Sequence, residues 1–185
     1  MTVPLLKSVD GRRVSLRLVT PDDAAYIQGL RLDPRYNSHL SKITGTVNDQ
    51  RVWIDDYKLR ESLGKELYYI IARRLDSVPC GLVRLYNIVS DRFTWGSWIL
   101  DENKPSKAAL ESAVLSFGVA FEHLALAIGH IDVRKQNSHA IGFYRRFGMR
   151  ETHQDEFNIY FEYSKEAYEQ LWPSYEAVLS RWDMQ

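Results

Sequence analysis

The chain has 185 residues, of which 45% are hydrophobic and 26% charged, a size and composition that suit one soluble globular domain and argue against disorder. Lysine plus arginine and aspartate plus glutamate each total 24, which excludes a net positive field able to hold a nucleic acid backbone and leaves only local basic patches. The lone Cys80 excludes an internal disulfide and a thiolate metal site, and it fits a reducing compartment. Apolar stretches such as 108–126 are interrupted by Glu111, Ser112, Ser116, Glu122 and His123, so none reads as a membrane span. Residues 1–11 lack the basic-then-apolar order of a signal peptide, and a cytoplasmic protein is expected.

Residues 14–19 alternate Val14, Leu16 and Leu18 with Ser15 and Arg17, the period of a half-buried strand. Thr20-Pro21-Asp22-Asp23 then sets an N-cap before a proline in the first turn, which predicts a helix running to about Leu32. Asp33-Pro34 ends that helix. Polar residues as far as Asn48 predict a loop, and Trp53, Ile54, Tyr57 and Leu63 fall near helical spacing in a second helical stretch. Three strand-like runs follow at 67–72, 80–86 and 93–100, with turn residues at 76–79 and 89–91 between them. Connections that short predict an antiparallel meander.

Across 106–127, the residues Ala109, Ala113, Phe117, Ala120, Phe121 and Leu124 recur at three- and four-residue spacing, which predicts a long helix stopped by Gly129. A short strand at 130–134, a helix at 137–147 with Gly148 in a C-cap position, and a final alternating strand at 157–163 come next. A terminal helix or extension covers 168–182. The strand-helix-strand passage from Phe93 to Arg134 is a crossover, so that pair of strands should be parallel. The expected fold is mixed α/β: one domain over 1–185, with a mostly antiparallel sheet, one parallel pair, and flanking helices.

Within this order sit Trp98-Ile99-Leu100, the helix through Phe117 and Phe121, Asp132-Val133-Arg134, Asn137-Ser138-His139-Ala140 and Phe143-Tyr144-Arg145-Arg146-Phe147-Gly148-Met149. On these residues, from Trp95 to Glu151, the chain resembles the acetyl-CoA-binding half of the Gcn5-related N-acetyltransferases (GNATs), especially their ribosomal-protein and amino-sugar branches. With the weaker order before it, the likeness spans about 14–163 and leaves 164–185 as a helical extension. The resemblance implies a twisted sheet whose parallel pair is splayed, acetyl-CoA as co-substrate, no metal, and direct attack by a primary amine. It places Trp98, Ile99, Leu100, Lys104, Lys107, Ala108, Ala109, Asn137 and Tyr144 at the cofactor. The acceptor would meet Tyr36, His39, Arg84, Tyr86, Trp95 and Ser97.

In the family, a tyrosine at the place of Tyr144 protonates the departing thiolate. A thiolate near its ordinary pKa of about 8.5 is helped by a phenol within hydrogen-bond reach, acting as general acid; the alternative is that Tyr144 only packs a helix. Asn137, seven residues earlier, would hold the pantetheine arm or position Tyr144, and it would equally serve as the helix N-cap. Asp132 sits where acidic relatives take a proton from the ammonium nucleophile, and otherwise it is a strand-end carboxylate paired with Arg134 or a lysine.

The loop Lys104-Pro105-Ser106-Lys107-Ala108-Ala109 departs from the family pattern, because Lys107 stands where a glycine lets backbone amides approach the pyrophosphate at a helix N-terminus. Lys104 and Lys107 would compensate by ion pairing, unless they are solvated loop charges. Arg84 suits an acceptor phosphate or carboxylate. Trp95 and Trp98 either stack on a flat group or belong to the core. His130 and His139 lack a metal-ligand pattern.

The polar stretch 33–48 ahead of Trp53-Ile54 looks more like the amino-sugar branch, so the acceptor is expected to be a small amine, such as a nucleotide-linked amino sugar. A protein N-terminal or ribosomal acetyltransferase is the alternative, and a non-catalytic module that kept the fold is a second. No nucleic acid or membrane partner is expected, and a homodimer stays open.

Overall fold

The computed structural model describes residues 6–39 and 43–180, the last three by backbone alone. Its strands are β1 (Ser8–Asp10), β2 (Val14–Leu18), β3 (Leu67–Arg73), β4 (Pro79–Val89), β5 (Arg92–Leu100), β6 (Ile128–Arg134), β7 (Arg150–Gln154) and β8 (Asn158–Ser164). The helices are α1 (Ala24–Leu32), α2 (Pro34–Asn37), α3 (Val47–Ser62), α4 (Ala108–Gly118), α5 (Ser138–Arg146) and α6 (Lys165–Ser180). All eight strands form one sheet in the order β1-β2-β3-β4-β5-β6-β8-β7. Only β5 and β6 run parallel, delivered by the α4 crossover as expected.

Both faces of the central sheet are covered, and β3 shows why its sequence is continuously apolar. Leu67, Tyr69 and Ile71 join the core under α4 and α5. Tyr68, Ile70 and Ala72 join a second core under α1 and α3. A strand buried on both faces has no polar side to alternate with. Thr20 stands at the N-cap position its sequence suggests, with its backbone N–H donating to Asp23 Oδ2 at 2.8 Å, and opens a 3-10 turn at Pro21–Asp23 that leads into α1. Gly148 also holds its expected place, with φ 85° just past α5, where only glycine escapes the left-handed penalty.

Four expectations need correction. β1 and β7 were not predicted, because both are sheet edges held by backbone pairing; every residue of β7 is exposed, so no apolar pattern marks it. α2 occupies part of the expected loop, with Asp33 accepting from the Arg35 N–H at 2.9 Å as its N-cap. The long helix at 106–127 is α-helical only over Ala108–Gly118, then widens to a π-turn at Val119–His123. It stops at Ala125, which takes φ 55°, so Gly129 is not the breaker. Gly129 lies inside β6, where a Cβ would come within 2.8 Å of the Phe93 ring. The terminal helix starts earlier than predicted, at Lys165, and residues 181–182 of that expectation lie outside the described residues.

Candidate active site

β5 and β6 pair only at Arg92–Ile128, Phe93–Gly129 and Thr94–His130, while β6 stays paired to β8 as far as Arg134–Asn158. The parting has a local cause in β5. Leu82 and Arg84 of β4 face Ile99 and Gly96, so β5 carries one residue more than its partner there, and Ser97 takes φ 47°. A bulge of this kind bends its strand and raises the local twist. Beyond Thr94 the strands separate around a cavity of about 370 Å³, with residues 95–99 on one wall and 132–134 on the other. A second cavity of about 330 Å³ adjoins it, and His39, Trp98, Ile99, Asn137 and Ala140 border both.

α5 brings Tyr144 into the first cavity. Asn137 caps this helix through its side-chain oxygen, which accepts from the Ala140 N–H at 3.1 Å, and it also lines both cavities. The Tyr144 ring is 6% exposed and meets Trp95 at 5.9 Å and Phe161 at 5.6 Å, both edge to face. Burial pushes the Tyr144 pKa up, and the Asp132 carboxylate adds to the rise. The phenol is therefore held in its neutral form. Burial and then Asp132 also raise Tyr86, which places that carboxylate within electrostatic reach of both hydroxyls.

The tryptophans are fixed from behind. Trp95 donates its indole N–H to Ser116 at 2.9 Å and Trp98 donates to Ser112 at 3.2 Å, and the two serines are four residues apart on one face of α4. Trp95 is 1% exposed, so it is a cavity wall packed into the core and not a stacking platform.

Most expected site residues come together. Tyr86, Trp95, Ser97, Asp132 and Tyr144 line the first cavity; Tyr36, Leu100, Lys104 and Ala109 line the second. Asp132 makes no ion pair among the described residues, contrary to the pairing with Arg134 or a lysine. Arg84 is not brought to either cavity: it pairs with Glu66 and lies 4.7 Å from the Tyr86 ring centroid and 5.1 Å from that of Trp53. Glu66 is only 3% exposed, and such a buried carboxylate needs its cation. Lys107 and Ala108 do not line the cavities either. Lys107 instead holds the left-handed backbone that a glycine would favour, φ 64°, and α4 begins without a side-chain cap. Of the first turn of α4, the Ala108 N–H donates to the Pro105 carbonyl at 3.2 Å, and no side chain caps the turn.

Sequence reasoning missed Arg31, Arg134 and Asn158 in the first cavity and Phe143 in the second. Asn158 faces Arg134 across the β6–β8 register, a signal that requires the strand pairing to be known. Nothing local marks Arg31, which lies near the end of α1. His130 contacts Arg92 and Glu162 outside the cavities. No group of metal-ligating side chains occurs among the described residues, and no helix there is long and apolar enough to cross a membrane.

A family model described as an acetyltransferase (GNAT) domain matches residues 13–150. Among solved structures, apo FdhC, described as a nucleotide-linked sugar GNAT, is similar at 39% identity and TM-score 0.82, covering 88% of this chain and 93% of that one. The ribosomal-protein-S5-alanine acetyltransferase from Vibrio fischeri shares the fold at 13% identity and TM-score 0.75, covering 86% and 97%. Mycobacterium smegmatis RimJ, solved in complex with CoA-disulfide, does so at 17% identity and TM-score 0.71, covering 87% and 88%. A comparison with curated proteins gave no match.

Proposed function

The chain belongs to the GNAT acetyltransferase family, and from that premise we propose that it transfers an acetyl group from acetyl-CoA to a primary amine of a small cytoplasmic molecule, an amino sugar, by direct attack. The observation that carries this reading is the neutral Tyr144 hydroxyl at a cavity that also holds the Asp132 carboxylate. The similarity to FdhC, a nucleotide-linked sugar GNAT, supports the acceptor class.

The chain's own groups suit the co-substrate. The uncapped first turn of α4 and Lys104 offer N–H groups and charge to a diphosphate, and Leu100, Trp98 and Phe143 give the second cavity an apolar wall for the pantetheine arm. Past Thr94, β5 has no partner on the β6 side, so its backbone N–H groups along the gap are available to a carbonyl oxygen. The thioester supplies an activated acyl carbon. Asp132 takes the proton that the acceptor nitrogen must shed as the N–C bond forms, and Tyr144 gives its proton to sulfur as the C–S bond breaks. Solvent returns that proton to Tyr144.

Incubation with acetyl-CoA and a panel of amino sugars, simple amines and N-terminal peptides, read as free thiol and as acetylated product by mass, tests this reading. Turnover with an amino sugar is expected. Peptide-only turnover would move the acceptor to protein, and acetyl-CoA binding without any turnover would mark a binding module.

A further inference from the structure

α5 ends in a cap that begins at Tyr144 itself. The Met149 N–H donates to the Tyr144 carbonyl at 3.0 Å and the Gly148 N–H to the Arg145 carbonyl at 3.2 Å, the paired bonds of a helix end closed by a left-handed residue, here Gly148 at φ 85°. The Phe147 carbonyl has no place in that cap and is met from α6. The buried Tyr175 hydroxyl donates to it at 2.6 Å, and the Tyr175 ring stacks on that of Phe147 at 4.8 Å, 11° from parallel. With its one proton committed there, Tyr175 accepts at 2.9 Å from the Tyr163 hydroxyl on β8. Leu171, one turn earlier on α6, fills the space over Gly148 that a Cβ would need. All of α6 lies beyond residues 13–150, the stretch that the family model matches.

Resting on the reading of Tyr144 as proton donor, we infer that α6 belongs to the catalytic machinery: Tyr175 is a positioning residue that, through the Phe147 carbonyl, fixes the turn of α5 from which Tyr144 reaches the cavity. The Tyr144 hydroxyl has no hydrogen-bond partner among the described residues. Its place is set by ring packing, against Trp95 and Phe161 among others, and by the backbone turn that carries it. A helix end whose carbonyls lack partners is loosely held, and a displacement of about 1 Å from productive geometry lowers a rate by up to about 10²-fold. The hydroxyl chain from Tyr163 through Tyr175 to Phe147 ties that turn to β8, the strand whose Phe161 also meets the Tyr144 ring.

Steady-state kinetics on the full chain, with acetyl-CoA and the acceptor found in the amine panel, compare the wild type, Tyr175→Phe, Tyr144→Phe and the double variant. Tyr175→Phe keeps the ring on Phe147 and removes one hydroxyl. Its kcat should fall by about tenfold, with KM for both substrates within about twofold. In the Tyr144→Phe background the same change should lower kcat by less than about twofold, because no donor remains to be misplaced. Leu171→Ala loosens the contact over Gly148 from a half-buried position and should show the same dependence on Tyr144, which keeps the test decisive if Tyr175→Phe does not fold. A wild-type kcat in Tyr175→Phe, or an equal loss in both backgrounds, would overturn the inference and leave the acetyltransferase reading standing. A Tyr144→Phe protein that keeps its kcat would overturn the proton-donor reading and this inference with it.

Discussion

The ring of Tyr144 meets that of Trp95 at 5.9 Å with the planes at 82°, so the proposed proton donor is oriented by an indole that is itself tied to Ser116 on α4. The helix that crosses over to make the parallel strand pair therefore also sets the position of the tyrosine that reaches into the gap between those strands.

That chain of contacts makes Ser116 a measurable support. Ser116→Ala leaves the Trp95 indole N–H buried without its acceptor, which costs about 1–3 kcal/mol. Urea unfolding should show that loss with little change in m. A loss near zero would mean that Trp95 finds another acceptor.

Asp132 is exposed in the cavity wall and makes no ion pair among the described residues, so its removal should touch chemistry before stability. Asp132→Asn is expected to lower kcat by about 10²-fold or more, the usual scale for a general base, with acetyl-CoA affinity near normal. Unchanged kcat with a confirmed acceptor would return Asp132 to an ordinary strand-end carboxylate.

Lys107 separates two accounts of the cofactor loop. A non-glycine residue at φ 64° is strained by about 1 kcal/mol, and its side chain lines neither cavity. Lys107→Gly relieves that backbone strain and should leave acetyl-CoA affinity within about twofold. A clear loss of affinity would instead show that the ammonium pairs with the diphosphate.

Much of this organisation was legible in the sequence, for identifiable reasons. The strands of the meander, the crossover, the Thr20 cap and Gly148 each carry a local signature of period or turn chemistry. The Asn137 to Tyr144 spacing carried the family resemblance, which implied a cofactor-side position for Tyr144, and the structure brings that side chain to a cavity wall. Edge strands β1 and β7 left no such trace, because pairing alone makes them. Arg84 was misplaced because its partner, Glu66, lies on a neighbouring segment, and only the fold reveals that the carboxylate is buried. Arg31 went unseen because only the fold brings it to the first cavity, and no sequence window contains that fact.

Stability should fall in alkali. Burial raises the pKa of Tyr57, Tyr69, Tyr144 and Tyr163, with a hydrogen bond to Glu61 adding at Tyr57 and one to Tyr175 adding at Tyr163. Their folded values lie above the unfolded value of about 10. The folded state then holds protons that the unfolded chain releases, so the contribution is complete below about pH 10 and is lost as pH rises further. Chemical denaturation at pH 8 and at about pH 11 should show the drop; equal stability would contradict the burial of these phenols.

The most direct test of the central claim is steady-state thiol release by Tyr144→Phe beside the wild type, with the acceptor found in the amine panel. Among the described residues the Tyr144 hydroxyl has no hydrogen-bond partner and its pKa shift arises from burial and Asp132 alone, so the substitution keeps the ring packing and removes only the proton donor. The account predicts a fall in kcat of about 10²–10³-fold with acetyl-CoA affinity and Tm nearly unchanged. A Tyr144→Phe protein that keeps most of its kcat would contradict it.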